Sequence, residues 1–282
     1  MQNILGTKYA IEGDEFTIQY SYQTGNVSMR TSHAHPTYEL YYVLNGERNF
    51  FINGTVYNAK KGDMILINPN DIHRSSTSDV LLCERILVNF KPSFLAPELS
   101  RCEIPLAGER YETALLPFPV DVQVNVEEYL RKMLSECERT QAGYATCVRS
   151  LLIELLIHVH RNAVKQTVKQ TSSDHPMHQK MTEIAVYLNE HFHTPVTLDG
   201  VSRLFYISPS YLSRTFKRVT GFHFKEYLQT VRIKEAKRLL RESKEPISQI
   251  AQKTGFEHTA NFNVAFKKGA GITPGTYRKS SR

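Results

Sequence analysis

Four residues early in the chain have the side chains that hold metal ions: His33, His35, Glu39 and His73. His33 and His35 are two apart, so on an extended strand they point to the same side. Glu39 and His73 can reach the same cavity across a barrel. Imidazoles with one carboxylate suit Zn, Fe, Mn or Ni, so a divalent transition metal is one expected occupant. A polar wall that hydrogen-bonds an organic ligand is the other. Tyr38, Tyr41 and Arg48 lie close by in sequence. Aromatic faces stack on sugar rings, and sugar hydroxyls need paired partners. The candidate small-molecule site is therefore His33, His35, Tyr38, Glu39, Tyr41, Arg48 and His73, with a sugar or related metabolite as ligand. No nucleophile elbow or phosphate-cradling glycine loop is present, and no catalytic residue is expected.

A second set of residues suits nucleic acid. The C-terminal region repeats itself at a spacing of about 50 residues: Phe216-Lys217-Arg218 with Gly221 matches Phe266-Lys267-Lys268 with Gly271, and Tyr227 matches Tyr277. Each copy reads as helix, tight turn, helix, with a second helix over 208–219 and over 259–268. In the first copy the leading helix runs over 198–206 and the chain turns near Ile207. Ser208 suits the N-cap, and Pro209 suits the first helical position. Leu212, Phe216 and Val219 face inward. Ser208, Ser210, Tyr211, Ser213, Arg214 and Lys217 are left for a partner. In the second copy Gly255 makes the turn and Phe262 and Phe266 face inward. His258, Thr259, Asn261, Asn263 and Lys267 face out. In a helix-turn-helix the second helix enters the major groove. There Arg bonds guanine, Asn bonds adenine, and Lys holds phosphate.

Other elements must position these groups. The first hundred residues contain short apolar runs, Glu39–Leu44 and Met64–Ile67, bounded by turn signals at Asn45-Gly46, Gly62-Asp63 and Asn68-Pro69-Asn70. The segment 50–57 reads as a hairpin with Asn53-Gly54 at its tip. Many short strands with frequent turns indicate a sandwich or barrel. From Asn125 apolar residues recur at helical spacing, Val126 to Leu134 and then Val148 to Val159, with Gly143 between. This helical pair carries apolar surface for packing on the barrel or for a dimer seam. The polar stretch 164–177 reads as a linker. Beyond it the chain is helical, and Phe224 to Arg241 forms one connecting helix between the readers. Eighteen residues span about 27 Å, against roughly 34 Å for one turn of DNA.

Charge follows the same division. Residues 1–170 carry 17 Lys+Arg and 19 Asp+Glu, and residues 171–282 carry 18 and 9. A basic excess of nine confined to the C-terminal segment favours a polyanion partner there. No apolar run reaches the roughly 18 residues of a membrane span. The N-terminus lacks the layout of a signal peptide, so a cytoplasmic, non-membrane protein is expected. The four cysteines, Cys83, Cys102, Cys137 and Cys147, form no C-x-x-C pair and are expected to be free thiols.

The C-terminal motifs carry a resemblance. Residues 178–282 resemble the DNA-binding domain of the AraC/XylS family of bacterial transcription regulators. The match covers Ser208-x-x-Tyr-Leu-Ser-Arg-x-Phe-Lys217, Arg232-Ile-x-x-Ala236-x-x-Leu-Leu240, Ile250-Ala-x-x-x-Gly-Phe256, Phe262-x-x-x-Phe-Lys267 and Gly271-Ile-Thr-Pro-x-x-Tyr-Arg278. The family often has Arg at the position of Val264, so this departure implies a less specific second reader, or one that reads a thymine methyl. The His33-to-His73 pattern resembles the cupin barrel that such regulators carry as a sensor. The resemblance implies an α+β chain: a cupin-like β-barrel with a helical pair, then an all-α domain of two helix-turn-helix units joined by a linker helix. The domains are then 1–163, a linker at 164–177, and 178–282. It further implies a ligand-responsive activator, not an enzyme, with double-stranded DNA, RNA polymerase, a small effector and a second copy of the chain as partners. A metal-dependent cupin enzyme carrying a DNA-binding tail is the rival reading.

Overall fold

The computed structural model describes residues 3–27, 29, 33–99, 114–165 and 175–280. It divides into two compact units, Met1–Asp174 and His175–Arg282.

The first unit is antiparallel β structure with helices on one face. Its strands are β1 (Asn3–Ile11), β2 (Phe16–Thr24), β3 (Tyr38–Ile52), β4 (Thr55–Lys60), β5 (Asp63–Ile67), β6 (His73–Thr77), β7 (Leu82–Phe90) and β8 (Ala114–Pro117). The main path runs β1-β2-β7-β3-β5-β8, and β4 and β6 pair with the far half of β3. The expected hairpin tip is present: Ile52 pairs with Thr55, and Asn53 and Gly54 have φ of 48° and 104°. Two positive φ values are what a two-residue hairpin turn demands. Asn45-Gly46 is not the turn its sequence suggests. β3 runs straight through it, with a register shift between Val43 and Asn45 against β7. Gly46, at φ 80°, lets the strand bend there and pass from one sheet into the other.

The bend makes two cores. Leu40, Tyr42 and Leu44 of β3 face outward with Ile86, Val88 and Phe90 of β7, and the helices pack on them. Tyr41, Val43, Phe50 and Ile52 face inward with Tyr57, Ile65, Ile67 and Cys83. Those residues come from both sheets, so this second core is the interior between them.

Helix α1 (Pro92–Leu99) follows β7, and α2 (Val120–Arg139) and α3 (Tyr144–Lys165) form the helical pair. α2 starts earlier than its apolar spacing predicts. Pro119 stands at its N-cap, and Val120 and Val124 on the first turn and a half are exposed, so the buried stripe begins only at Val126. That stripe of Val126, Leu130, Met133 and Cys137 lies in the outer β core with Val148, Leu152, Leu155, Leu156 and Val159 of α3. Packing on the sheet thus accounts for the leucine-rich faces. The pairs Arg131–Glu127 and Lys132–Glu128 on α2 contribute about 0.3–0.5 kcal/mol each. One buried Leu contributes roughly 1.5–3 kcal/mol, so burial holds the helix in place.

The second unit is helical throughout: α4 (Pro176–His191), α5 (Leu198–Leu204), α6 (Pro209–Thr220), α7 (Phe224–Glu242), α8 (Ile247–Lys253), α9 (Thr259–Ala270) and α10 (Pro274–Ser280). The expected linker of 164–177 is shorter than its composition suggests. α3 continues through Lys165, and α4 starts at Pro176 with His175 as its cap. The intervening 166–174 lie outside the described residues, as does Cys102. Cys83, Cys137 and Cys147 are free thiols, the first two buried. Among the described residues no helix is long and apolar enough to cross a membrane.

The bend in β3 gives the first prediction. A Cβ on Gly46 would press against the Leu82 carbonyl, at a φ that L-residues avoid. Gly46→Ala should cost about 1–3 kcal/mol from the backbone strain alone. Urea unfolding followed by a probe in the first unit measures it. An unchanged midpoint would show that β3 bends without this glycine.

Candidate functional site

The two readers have the same construction. In the first, the Ser208 hydroxyl accepts a hydrogen bond from the Tyr211 amide at 3.2 Å, Pro209 opens α6, and Gly221 closes it at φ 82°. Leu212, Thr215, Phe216, Val219 and Thr220 are buried, and Phe216 packs against the rings of Phe224 and Tyr227. Ser210, Tyr211, Arg214 and Lys217 are exposed and Ser213 is half-buried. In the second, α9 buries Phe262, Ala265 and Phe266, and Gly271 closes it. His258, Asn261, Asn263 and Lys267 are exposed and Thr259 is half-buried. Ser208 caps α6 as its sequence position suggests, and it is exposed. Val264, where a longer cation would have reached outward, is 72% exposed.

The connecting helix α7 has 19 residues and so is about 28 Å long. Its Arg232 donates to the carbonyls of Phe192 (2.8 Å) and Thr194 (3.0 Å), just past α4. The same guanidinium lies 5.7 Å from the Phe256 ring, beside the turn of the second reader. A Cβ on Gly255 would lie 2.5 Å from the Phe192 carbonyl and 2.9 Å from Arg232 Nε. Only glycine fits there, and so the turn of the second reader is locked to the body of the first.

Sequence reasoning missed Tyr206. The turn comes one residue before Ile207, and Tyr206 occupies it at φ 55° with 94% of its surface exposed. It is the counterpart of Gly255, which the repeat could have revealed. A bulky residue in the left-handed region costs roughly 1–2 kcal/mol, yet its ring buries almost nothing in return.

In the first unit the structure gathers His33, His35 and His73. One donor nitrogen from each lies within 4.8 Å of the others. His33 and His73 are tied by backbone hydrogen bonds of 3.1 and 3.0 Å across an isolated bridge. His73 Nδ1 lies 2.9 Å from the Asp71 carbonyl and donates to it. His73 Nε2 is buried and has no hydrogen-bond partner. Glu39 Oε2 stands 3.3 Å from His35 Nε2 and 3.9 Å from His73 Nε2. Burial alone would raise the Glu39 carboxyl, but the His35 hydrogen bond and the neighbouring His73 and Arg85 outweigh it and hold it below its ordinary range. The Glu39 hydrogen bond in turn raises His35.

Glu39, Tyr41, Arg48 and His73 all point to the interior between the sheets. Tyr38 does not. Alternation along β3 turns it to the outer core, where it stacks on Phe90 at 5.1 Å. It is withdrawn from the small-molecule site. The interior has polar members that the sequence did not single out. Ser21 and Gln23 of β2 and Cys83, Arg85 and Asn89 of β7 share the inward register. Arg85 donates to Ser21 Oγ at 2.9 Å and lies 4.8 Å over the Tyr41 ring. Arg48, 5% exposed, reaches Ser75 Oγ at 3.2 Å. Burial pulls its guanidinium below the ordinary range, though it stays charged. Four buried atoms of this inward face lack a protein hydrogen-bond partner: Gln23 Oε1, Arg48 Nε, His73 Nε2 and Asn89 Oδ1. Each costs about 1–3 kcal/mol when nothing meets it. All four lie on the same inward face.

Comparison with known proteins decides the family. Residues 16–156 match the family model described as the AraC-like ligand binding domain, and residues 201–280 match a helix-turn-helix domain. The chain belongs to the AraC family. It is a DNA-binding transcription regulator. It is 24% identical over 255 residues to the HTH-type transcriptional activator RhaS of Escherichia coli (strain K12 / DH10B), covering 88% of this chain and 87% of that one. Over 95 residues it is 38% identical to the uncharacterized HTH-type transcriptional regulator YtdP of Bacillus subtilis (strain 168). That match covers 34% of this chain but only 12% of YtdP's length. Among solved structures, the C-terminal domain of AraT, a response regulator from Geobacillus stearothermophilus, is 33% identical with a TM-score of 0.36. It covers 39% of this chain and 88% of its own. ToxT from Vibrio cholerae is 15% identical with a TM-score of 0.36, covering 98% of each chain.

For this AraC-family protein the reader geometry yields two predictions. Arg214→Ala should weaken the best DNA site by about 1–3 kcal/mol and relax preference at one base position. Affinities on a panel of single-base variants test this. Equal weakening on every sequence would make Arg214 a phosphate contact. Tyr206→Gly should leave thermal stability within about 1 kcal/mol, since relief of strain offsets the freer unfolded chain, while lowering DNA affinity. Full affinity in that variant would remove Tyr206 from the interface.

Proposed function

We propose that this regulator is a cytoplasmic homodimeric activator switched by a small molecule held between the sheets of the first unit. The observation that carries the reading is the set of four unpartnered polar atoms on one inward face. A bound molecule with donors and acceptors would satisfy all four at once, and an acceptor left unmet costs about 1–3 kcal/mol. An effector acts only if it favours one arrangement of the protein over another, and relief of that cost supplies such a preference. The readers then hold double-stranded DNA through Ser210, Tyr211, Ser213, Arg214 and Lys217, and through His258, Thr259, Asn261, Asn263 and Lys267. RNA polymerase is the partner through which an activator of this family would work.

The dimer reading rests on α2. Its outer face shows Val120 and Val124 one turn apart, followed by the acidic pair Glu127 and Glu128 and then the basic pair Arg131 and Lys132. A two-fold axis can pair such a face with itself, acid against base.

The histidine cluster is the place for a divalent transition metal. His33, His35 and His73 would hold it, with Glu39 beside them. His73 fits the part, because a ligating imidazole donates its other nitrogen to a carbonyl and leaves a free lone pair. When bound, the ion would supply a positive anchor for an oxygen of the effector. A metal enzyme with a DNA-binding tail would need the same four residues, so the two readings part on whether the metal-free chain still binds DNA.

Purified chain stripped with chelator and titrated with Zn, Ni or Mn should take up one ion per chain by elemental analysis, and His73→Ala should take up none. Uptake by His73→Ala equal to wild type would place the metal elsewhere, and no uptake by wild type would leave the cluster a polar wall. DNA affinity measured at several salt concentrations should fall steeply as salt rises. A metal-free chain that still binds a specific duplex would remove the enzyme reading, and one that binds only when loaded would make the metal part of the switch.

A further inference from the structure

We infer that the effector is an anion, a polyhydroxylated small molecule with a carboxylate that docks on Arg48 and Arg85. The inference deepens the reading of the interior as the effector site and rests on it.

Charge and unfilled donors both point to an anion. Arg48 is 5% exposed, and its Nη2 bonds a neutral hydroxyl, Ser75 Oγ at 3.2 Å. Its Nε has no partner. Arg85 donates to another neutral hydroxyl, Ser21 Oγ, and rests on the Tyr41 ring. Among the described residues neither guanidinium makes an ion pair within 4.0 Å. The two arginines feel each other's charge, and both lie near Tyr41, whose hydroxyl bonds Cys83 at 3.3 Å. Glu39, the carboxylate that acts on Arg85, is already committed to His35 and His73. Glu39 against two arginines leaves one positive charge in excess.

Buried charges in folded proteins are paired or bind something charged. A guanidinium offers a planar fork that matches a carboxylate. A neutral sugar would give Arg48 Nε an acceptor but would leave the charge unmatched. The remaining orphans describe the rest of the ligand. Gln23 and Asn89 each present a buried amide oxygen without a donor, and ligand hydroxyls would supply those donors. The exposure of the histidines marks the way in: the His35 side chain is 24% exposed and that of His73 only 2%. One acidic group and two or more hydroxyls together describe a sugar acid.

The test uses the full chain, with calorimetric titration of sodium glucuronate, galacturonate and gluconate against glucose and galactose at matched ionic strength. At least one acid should bind saturably and at least tenfold more tightly than its neutral counterpart. Arg48→Gln should weaken that acid at least tenfold while keeping the wild-type circular dichroism. Should Arg48→Gln fail to fold, Arg85→Gln carries the same expectation. The ligand-free Arg48→Met chain should melt no lower than wild type, since it removes an unmatched charge. A neutral aldose that binds as tightly as its acid would overturn the anion and leave the interior site standing. An acid that binds Arg48→Gln like wild type would overturn it too. Failure of all five compounds to bind would remove both the anion and the interior reading.

Discussion

Backbone pairing of β3 with four other strands constrains the whole first unit. A regular strand alternates its side chains, so in a 15-residue strand shared by two sheets each residue is assigned to one core or the other. Before the bulge, Glu39, Tyr41 and Val43 point inward. Beyond it Arg48, Phe50 and Ile52 do so, an even-numbered set in place of an odd one. The one-residue shift between Val43 and Asn45 performs that exchange of parity. Without it, the carboxylate of the histidine cluster and the buried guanidinium could not share one interior. Gly46 is where the chain tolerates the consequence, a left-handed backbone pressed against a neighbouring carbonyl.

The second unit depends on a different constraint, the joining of two similar readers into one body. Their inner residues match nearly position for position, Leu212 with Phe262 and Phe216 with Phe266, and each helix ends in a left-handed glycine. Repetition alone would give two loosely tethered motifs. Arg232 prevents this, because one side chain bonds the carbonyls behind α4 and also touches Phe256 at the second turn. The readers differ where they meet solvent. The first carries Arg214 and an exposed tyrosine at a strained turn. The second has Val264 and a glycine at the same places. The outward faces thus differ in chemistry: the first offers a long cation and a phenol ring, and the second offers an aliphatic residue, small polar side chains and Lys267.

Much of this was legible in the residues, because the relevant patterns are local. The second reader's helix start, the glycine caps, the Asn53-Gly54 hairpin and the buried stripe of the helical pair all follow from spacing and turn chemistry. Three features were not legible, each for a reason of geometry. Asn45-Gly46 reads as a turn because bulge and turn draw on the same backbone freedom. Tyr38 reads as a neighbour of Glu39, and only strand alternation puts it in another core. Ser21, Gln23, Arg85 and Asn89 reach the interior across strand pairings of long sequence separation, which no local motif records.

Those non-local residues change what the first unit must be. A barrel built only to support helices would fill its interior with aliphatic side chains, as the outer core does with Leu, Ile, Val and Phe. Instead the inward face mixes Tyr41, Phe50 and Ile67 with Arg48, Glu39, His73 and two amides. The aliphatic and aromatic residues pack the sheets together, and the polar residues are not part of that packing. Such groups are tolerated when a bound state repays them, and that state is then the more stable one. A sensor needs this inequality between its empty and filled forms. The unsatisfied interior and the response to a ligand are on this view one property, seen first as a cost to folding and then as the energy that couples binding to DNA.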